Sequence, residues 1–144
     1  MRPAEALQTG AVLLAPALIP HGFSFAMEGA GGSSGGDFAN GAFVRGTRRL
    51  ELHVRLSSLG LVAYHVGAFT LPHVDYVRAQ RARGISGEQS YPGFGSDPMQ
   101  AFSHLLSDLR VFGDVFTQGT EPAFANLAHW VIENPAPIGF GAVP

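Results

Sequence analysis

"RRLELHVRLSSLGLVAYHVG" (residues 48–67) decides how this chain folds. Leu50, Leu52, Val54 and Leu56 alternate with Glu51, His53 and Arg55, the period of a strand with one face to a core and one to water. Upstream, Gly46 and Thr47 in "RGTR" suit a two-residue hairpin loop of type II′, which sets Phe43 opposite Leu50 and Gly41 opposite Leu52. Downstream, Ser58-Leu59-Gly60 suits a three-residue loop with its glycine in the left-handed conformation. That loop sets Leu56 against Val62, Val54 against Tyr64 and Leu52 against Val66. Together the turns place four apolar residues on one buried face and His53 opposite His65 on the other.

Working outward, "HGFSFAM" (21–27) alternates Phe23, Phe25 and Met27 as a first strand. "GAGGSSGGDF" (29–38) reads as a flexible glycine-rich loop, and "ANGAFVRG" (39–46) as the second strand. A helix is expected from Pro3 to Ala15, where Pro16 follows. Beyond the strands the period turns helical. "TLPHVDYVRAQRARG" (70–84) carries Leu71, Val74 and Val77 inward. Residues 97–119 open on Asp97 as cap, Pro98 and Gln100, and carry the stripe Met99, Phe102, Leu105, Leu106, Leu109, Phe112 and Phe116 up to Gly119. A last helix is expected within 120–135, stopped before Pro135, and the tail from 136 is irregular. The sum is one α+β domain over residues 1–144, a four-stranded antiparallel meander with one N-terminal and about three C-terminal helices on one face.

Composition narrows the chemistry. A hydrophobic content of 46% with eleven Phe supports a packed core. All nine basic residues are Arg, which removes Schiff-base and P-loop lysines. The absence of Cys removes thiol nucleophiles and thiolate metal sites, and suits a reducing compartment, so a cytoplasmic location is expected. A net charge of −2 gives no reason to expect nucleic acid. No apolar run reaches the roughly 20 residues of a membrane span. "GAVLLAPALIP" (10–20) imitates a secretion signal, but Pro16 interrupts it and Leu7, Ala11, Leu14 and Leu18 fall at helical spacing.

One constellation stands out. The face away from the core gathers Asn40, Glu51, His53, Arg55 and His65. Such a set suits a binding surface. Alternatively it suits a small enzyme or a ligand or metal binder, with a histidine base and Arg55 holding an anion. The plain reading is a half-solvated sheet face, where cross-strand polar pairs are routine. No HxH or HExxH spacing is present, and no catalytic residue, metal ligand set or cofactor is assigned. "GGSSG" (31–35) matches GxSxG formally but lacks the strand–turn–helix context of a nucleophile elbow. His21, His73, His104 and His129, with Asp75, read as loop and helix residues. Trp130 with Phe124 and Leu127 reads as a packing seam. Tyr91 and Phe94, around a Pro-Gly turn, read as either a partner contact or a lid on the core.

Taken in order, "LAPALIPHGFSF", "GAFVRGTRRLELHVRLSSLGLVAYHVG" and "YPGFGSDPMQAFSHLLSDL" resemble small bacterial α+β proteins of the toxin-immunity kind. The resemblance covers most of the chain and rests on architecture. It implies a protein partner and no catalytic residues. The expectation is a non-enzymatic protein-binding module, with a homo-oligomer as the other form of partnership and neither nucleic acid nor membrane involved.

Overall fold

A computed structural model describes residues 1–33, 36–93 and 97–137; Ser34, Gly35, Phe94 and most of the expected irregular tail lie outside the described residues. The order is α1 (Pro3–Leu18), a 3₁₀ turn (Ile19–His21), β1 (Ser24–Ser33), β2 (Gly36–Arg45), β3 (Arg48–Arg55), β4 (Ser58–Val66), β5 (Phe69–Pro72), α2 (His73–Ala82), α3 (Pro98–Phe112), α4 (Asp114–Thr117) and α5 (Glu121–Glu133). The class is α+β, and the sheet is antiparallel in the order β1-β2-β3-β4-β5. Among the described residues it therefore has one strand more than the four expected.

The added strand is β5, which the helical reading of 70–84 had absorbed. Val66 pairs with Phe69 across Gly67 and Ala68, so the chain makes a third tight hairpin before the helix begins at His73. The later start rotates α2. His73, Tyr76, Val77 and Gln80 point inward, and Val74, expected inside, is half exposed. The glycine-rich "loop" is also corrected. Gly29 through Ser33 belong to β1 and pair with Gly36 through Asn40 of β2.

The β2–β3 hairpin has the expected register, with Phe43 opposite Leu50 and Gly41 opposite Leu52. Gly46 has φ +57° and Thr47 does not share the positive φ, as a type II′ turn has. The β3–β4 hairpin differs from expectation. Its loop is Leu56-Ser57, and Leu56 takes the left-handed conformation at φ +54°. Gly60 is the extra residue of a bulge instead of the turn glycine, and Leu52 pairs with Val62, Leu50 with Tyr64 and Arg49 with His65. Leu56 is consequently 57% exposed and does not join the buried face.

That face is Leu50, Leu52 and Val54 of β3 with Val62, Tyr64 and Val66 of β4, and the helices share one core with it. At its centre the Tyr64 ring stacks on Tyr76 at 4.3 Å and meets Phe116 edge-on at 5.1 Å. α1 and α3 touch at Gly10, where a Cβ would stand 2.4 Å from the Phe102 ring. α1 also runs through Pro16, three residues past its expected end. The carbonyl left without its N–H belongs to Val12 on the exposed flank, where water is available, and Leu14 and Leu18 on either side of Pro16 are fully buried.

The helix expected over 97–119 breaks at Gly113. Its cap is as anticipated, Asp97 accepting from the Met99 amide at 2.9 Å. The break is held by α2. Tyr76 Oη and Gln80 Nε2 both donate to the Phe112 carbonyl, at 2.6 and 2.7 Å, and the Phe116 amide donates back to Tyr76. Arg48, buried at the sheet's edge of the core, donates to the carbonyls of Val115, Phe116 and Gly119, and Arg45 to those of His21 and Thr117. Burial, then the neighbouring Arg45 charge, lower the Arg48 pKa.

The β3–β4 turn provides a direct check. A non-glycine residue in the left-handed conformation costs about 1–2 kcal/mol, and Leu56 is mostly outside the core. Leu56→Gly is expected to raise stability by about 1 kcal/mol in urea unfolding. A loss of that size would show that Leu56 holds its hairpin by contacts that outweigh the strain.

Candidate functional site

The outer face of the sheet is built in cross-strand rows. One row runs Ala26, Ala42, Glu51, Ala63, Pro72 across all five strands. The next row on one side is Ser24, Val44, Arg49, His65, Thr70, and on the other Gly29, Asn40, His53, Leu61. Glu51 is thus flanked by alanines, and the larger side chains of the adjoining rows fold towards it.

His53 and His65 are not opposite one another, as the expected register had them. His53 pairs with Leu61, and His65 with Arg49. They meet nonetheless through Glu51. His53 Nε2 lies 2.6 Å from Glu51 Oε2, and His65 Nε2 lies 2.7 Å from Oε1. His53 stands two residues along the same strand, and His65 is the diagonal neighbour two residues beyond Ala63, so both are within reach of one carboxylate. The true pairing differs from the expected one by four residues. An even slip keeps every side chain on its face, which is why the cluster survives the wrong register.

The contacts with Glu51 require a proton on Nε2 of each ring. An ionised carboxylate only accepts, so both imidazoles donate from Nε2. Nδ1 of His65 is hydrogen-bonded to the Thr70 hydroxyl at 2.8 Å. For Glu51, burial pushes the pKa up, but the hydrogen bonds from His65 and His53 outweigh it and hold the carboxyl below its ordinary value. Beside this cluster Arg49 grips Glu28 of β1 through both guanidinium nitrogens. The pair reaches across β2, where Ala42 has no exposed surface. The Arg49 hydrogen bond is the largest influence on Glu28 and holds its carboxyl low.

Of the five residues expected here, Glu51, His53 and His65 are joined directly. Asn40 is the neighbour of His53 on β2 and leans over Gly29. Arg55 stands at the hairpin end, exposed, between Phe38 and Ser58. The face is open: the Glu51 side chain is 23% exposed and that of His53 40%. Among the described residues no three His, Cys, Asp or Glu are grouped to hold a metal ion, and no helix is long and apolar enough to cross a membrane. A cleft of about 670 Å³ lies elsewhere, lined by Val77, Arg78, Arg81, Ile85 and Trp130. There Arg78 lies over the Trp130 ring at 5.3 Å, so Trp130 is not wholly a packing residue.

A second polar constellation escaped the sequence reading. Tyr64 Oη donates to His73 Nδ1 at 2.7 Å, and His73 Nε2 donates to Asp108 Oδ2 at 2.8 Å. Asp108 also accepts from the backbone amides of Ser90 and Tyr91, at 2.7 and 2.8 Å. Burial pushes the Tyr64 hydroxyl well above its ordinary value, so it remains a donor. All three side chains are almost wholly buried. The chain is a clip between β4, α2, α3 and the segment around Ser90, closed to any substrate. Over it the Tyr91 ring meets His73 edge-on at 5.4 Å, and the Tyr91 hydroxyl, pushed up to about 12 by burial, donates to the Leu59 carbonyl. Tyr91 is thus the lid of the two alternatives. The signal for the clip was Asp108, a carboxylate at helical spacing among Leu105, Leu109 and Phe112.

Compared with protein-family models, curated proteins and solved structures, the chain matches none.

Two measurements check these geometries. Asp108→Asn leaves donors facing a donor in the core and is expected to cost about 3 kcal/mol, with faster amide exchange at Ser90 and Tyr91; unchanged exchange would mean the clip does not hold that segment. Glu51 has a lowered pKa, so its stabilisation is present above the ordinary value of 4.5 and is lost as pH falls through the lower folded value. Glu51→Gln is therefore expected to be less stable than the parent at neutral pH, with the gap narrowing below pH 4.5. A gap independent of pH would contradict this.

Proposed function

We propose that the chain is a non-enzymatic protein-binding module of the toxin-immunity kind, working in the cytoplasm, with the outer sheet face as its recognition surface. The observation that supports this reading is that the charged groups of the central rows are already paired with one another. Both Glu51 oxygens are taken by histidines and Glu28 is taken by Arg49. A general base needs a concavity that aims its lone pair at a reacting proton, and Glu51, His53 and His65 lie on an open sheet face. A recognition face needs side chains held in place before the partner arrives, because ordering them on binding subtracts from affinity. Asn40, Leu61 and Arg55 surround the paired centre with adaptable, partly exposed contacts, and the partner is a protein with a flat complementary surface.

The test is affinity capture from native extract of the source cells, with variants on and off the face. His53→Arg and Leu61→Arg alter exposed positions of the outer face, and Ile132→Arg alters an exposed position of α5. The parent and Ile132→Arg are expected to retain one stoichiometric protein, and both outer-face variants to weaken its binding at least about tenfold, roughly 1.4 kcal/mol. Capture of no partner, or full retention by both outer-face variants, would overturn the reading.

A further inference from the structure

The sheet has two edges, and they are built differently. β5 is four residues long, ends at Pro72 and passes directly into α2, so it offers little backbone to another strand. β1 is ten residues long and, among the described residues, has β2 on one side only. Its acid, Glu28, sits at a bulge between Met27 and Gly29, and Arg49 draws its side chain inward across β2. Above β1 runs a groove of about 410 Å³, lined by Val12, Ala15 and Ile19 of the first helical segment and by Phe25, Met27 and Phe43 of the sheet. Val12 is 74% exposed and Ile19 50%.

We propose that the chain forms a two-fold symmetric dimer in which β1 pairs antiparallel with β1 of a second copy, joining the two sheets and closing this groove. Three features select a second copy over a foreign strand. A two-fold axis normal to the sheet keeps the helices of both copies on the same side, so the exposed flank of α1 meets its counterpart while the strands pair. A lone extended peptide would satisfy the strand edge and leave Val12 and Ile19 in water. Among the described residues, none lining the groove carries a charge. In an isologous contact every charge near the axis faces its own copy, so an uncharged patch is the kind that associates with itself without repulsion. The outer face is left open, and the dimer would carry two copies of the Glu51 cluster on one continuous surface; the inference does not depend on what that face binds.

The experiment is sedimentation velocity on the full chain over a wide concentration range, with matched variants. The parent is expected to be a dimer that dissociates on dilution. Val12→Arg combined with Ile19→Arg, both at exposed positions, is expected to raise the dimer Kd at least about tenfold with an unchanged circular dichroism spectrum, whereas His53→Arg on the outer face leaves it unaltered. Hydrogen exchange of the parent supplies a readout independent of any variant: β1 amides gain protection as concentration rises, and β5 amides do not. A monomer at all concentrations, a dimer indifferent to the double variant, or β1 protection that does not depend on concentration would each overturn the proposal.

Discussion

Three successive hairpins, at Gly46-Thr47, Leu56-Ser57 and Gly67-Ala68, join β2 through β5 with loops of two residues. A loop that short leaves no play between the strands it joins, so each turn sets the register where its pair begins, and in β3–β4 the Gly60 bulge then shifts it by one residue. The first residue of each loop has a positive φ, and two of the three are glycine. From this follow the apolar face that the helices cover and the rows on the opposite side. Glu51 lies beside Ala42 because of the count set by the Gly46-Thr47 loop, and beside Ala63 because the Gly60 bulge adds one residue to the count set by the Leu56-Ser57 loop.

The covered side shows how polar groups are accommodated in so apolar a core. Arg48, His73, Gln80 and Asp108 are buried, and each is committed to backbone or side-chain partners from another element. They act where a helix has been interrupted or a strand has run out. Gln80 and Tyr76 take the Phe112 carbonyl at the α3–α4 break, Arg48 takes the carbonyls at the end of α4, and Asp108 takes the amides of Ser90 and Tyr91. Breaking any of these contacts from one side strands a partner in the core, so the polar contacts make the arrangement specific as well as stable.

The alternation of Leu50, Leu52 and Val54 and the glycine of the first hairpin were legible without coordinates, as were the Asp97 cap and the apolar stripe of α3. The second hairpin was misread because glycine is the usual marker of a left-handed loop residue, and here Leu56 holds that position while Gly60 makes a bulge. β5 was hidden because four residues ending in proline carry too little periodicity to compete with the helix that follows. The candidate cluster was found through a wrong register, since faces survive an even slip while partners do not. The carboxylate bridging the histidines was therefore unreadable, although all three residues had been placed together. The Tyr64–His73–Asp108 chain brings together three elements distant in sequence, and only the out-of-place charge of Asp108 announced it.

Proximity of polar residues on a sheet face is by itself weak evidence of use, because the pleat delivers it without selection. The alanines are harder to dismiss. Solvent-facing positions in the middle of a sheet favour β-branched and aromatic residues, and alanine is a poor strand former. Ala42 and Ala63 nevertheless flank Glu51 on the central strands, and both are buried although no helix among the described residues covers them. What lies over this row is the side chains of the adjoining ones: Arg49 reaching across to Glu28, and His65 and His53 closing on Glu51. A larger residue at either position would lift those side chains off the surface and break their pairing. The small residues thus cost the sheet some intrinsic stability and gain it an internally paired surface, a trade that hairpin geometry does not require and that the proposed recognition face would use.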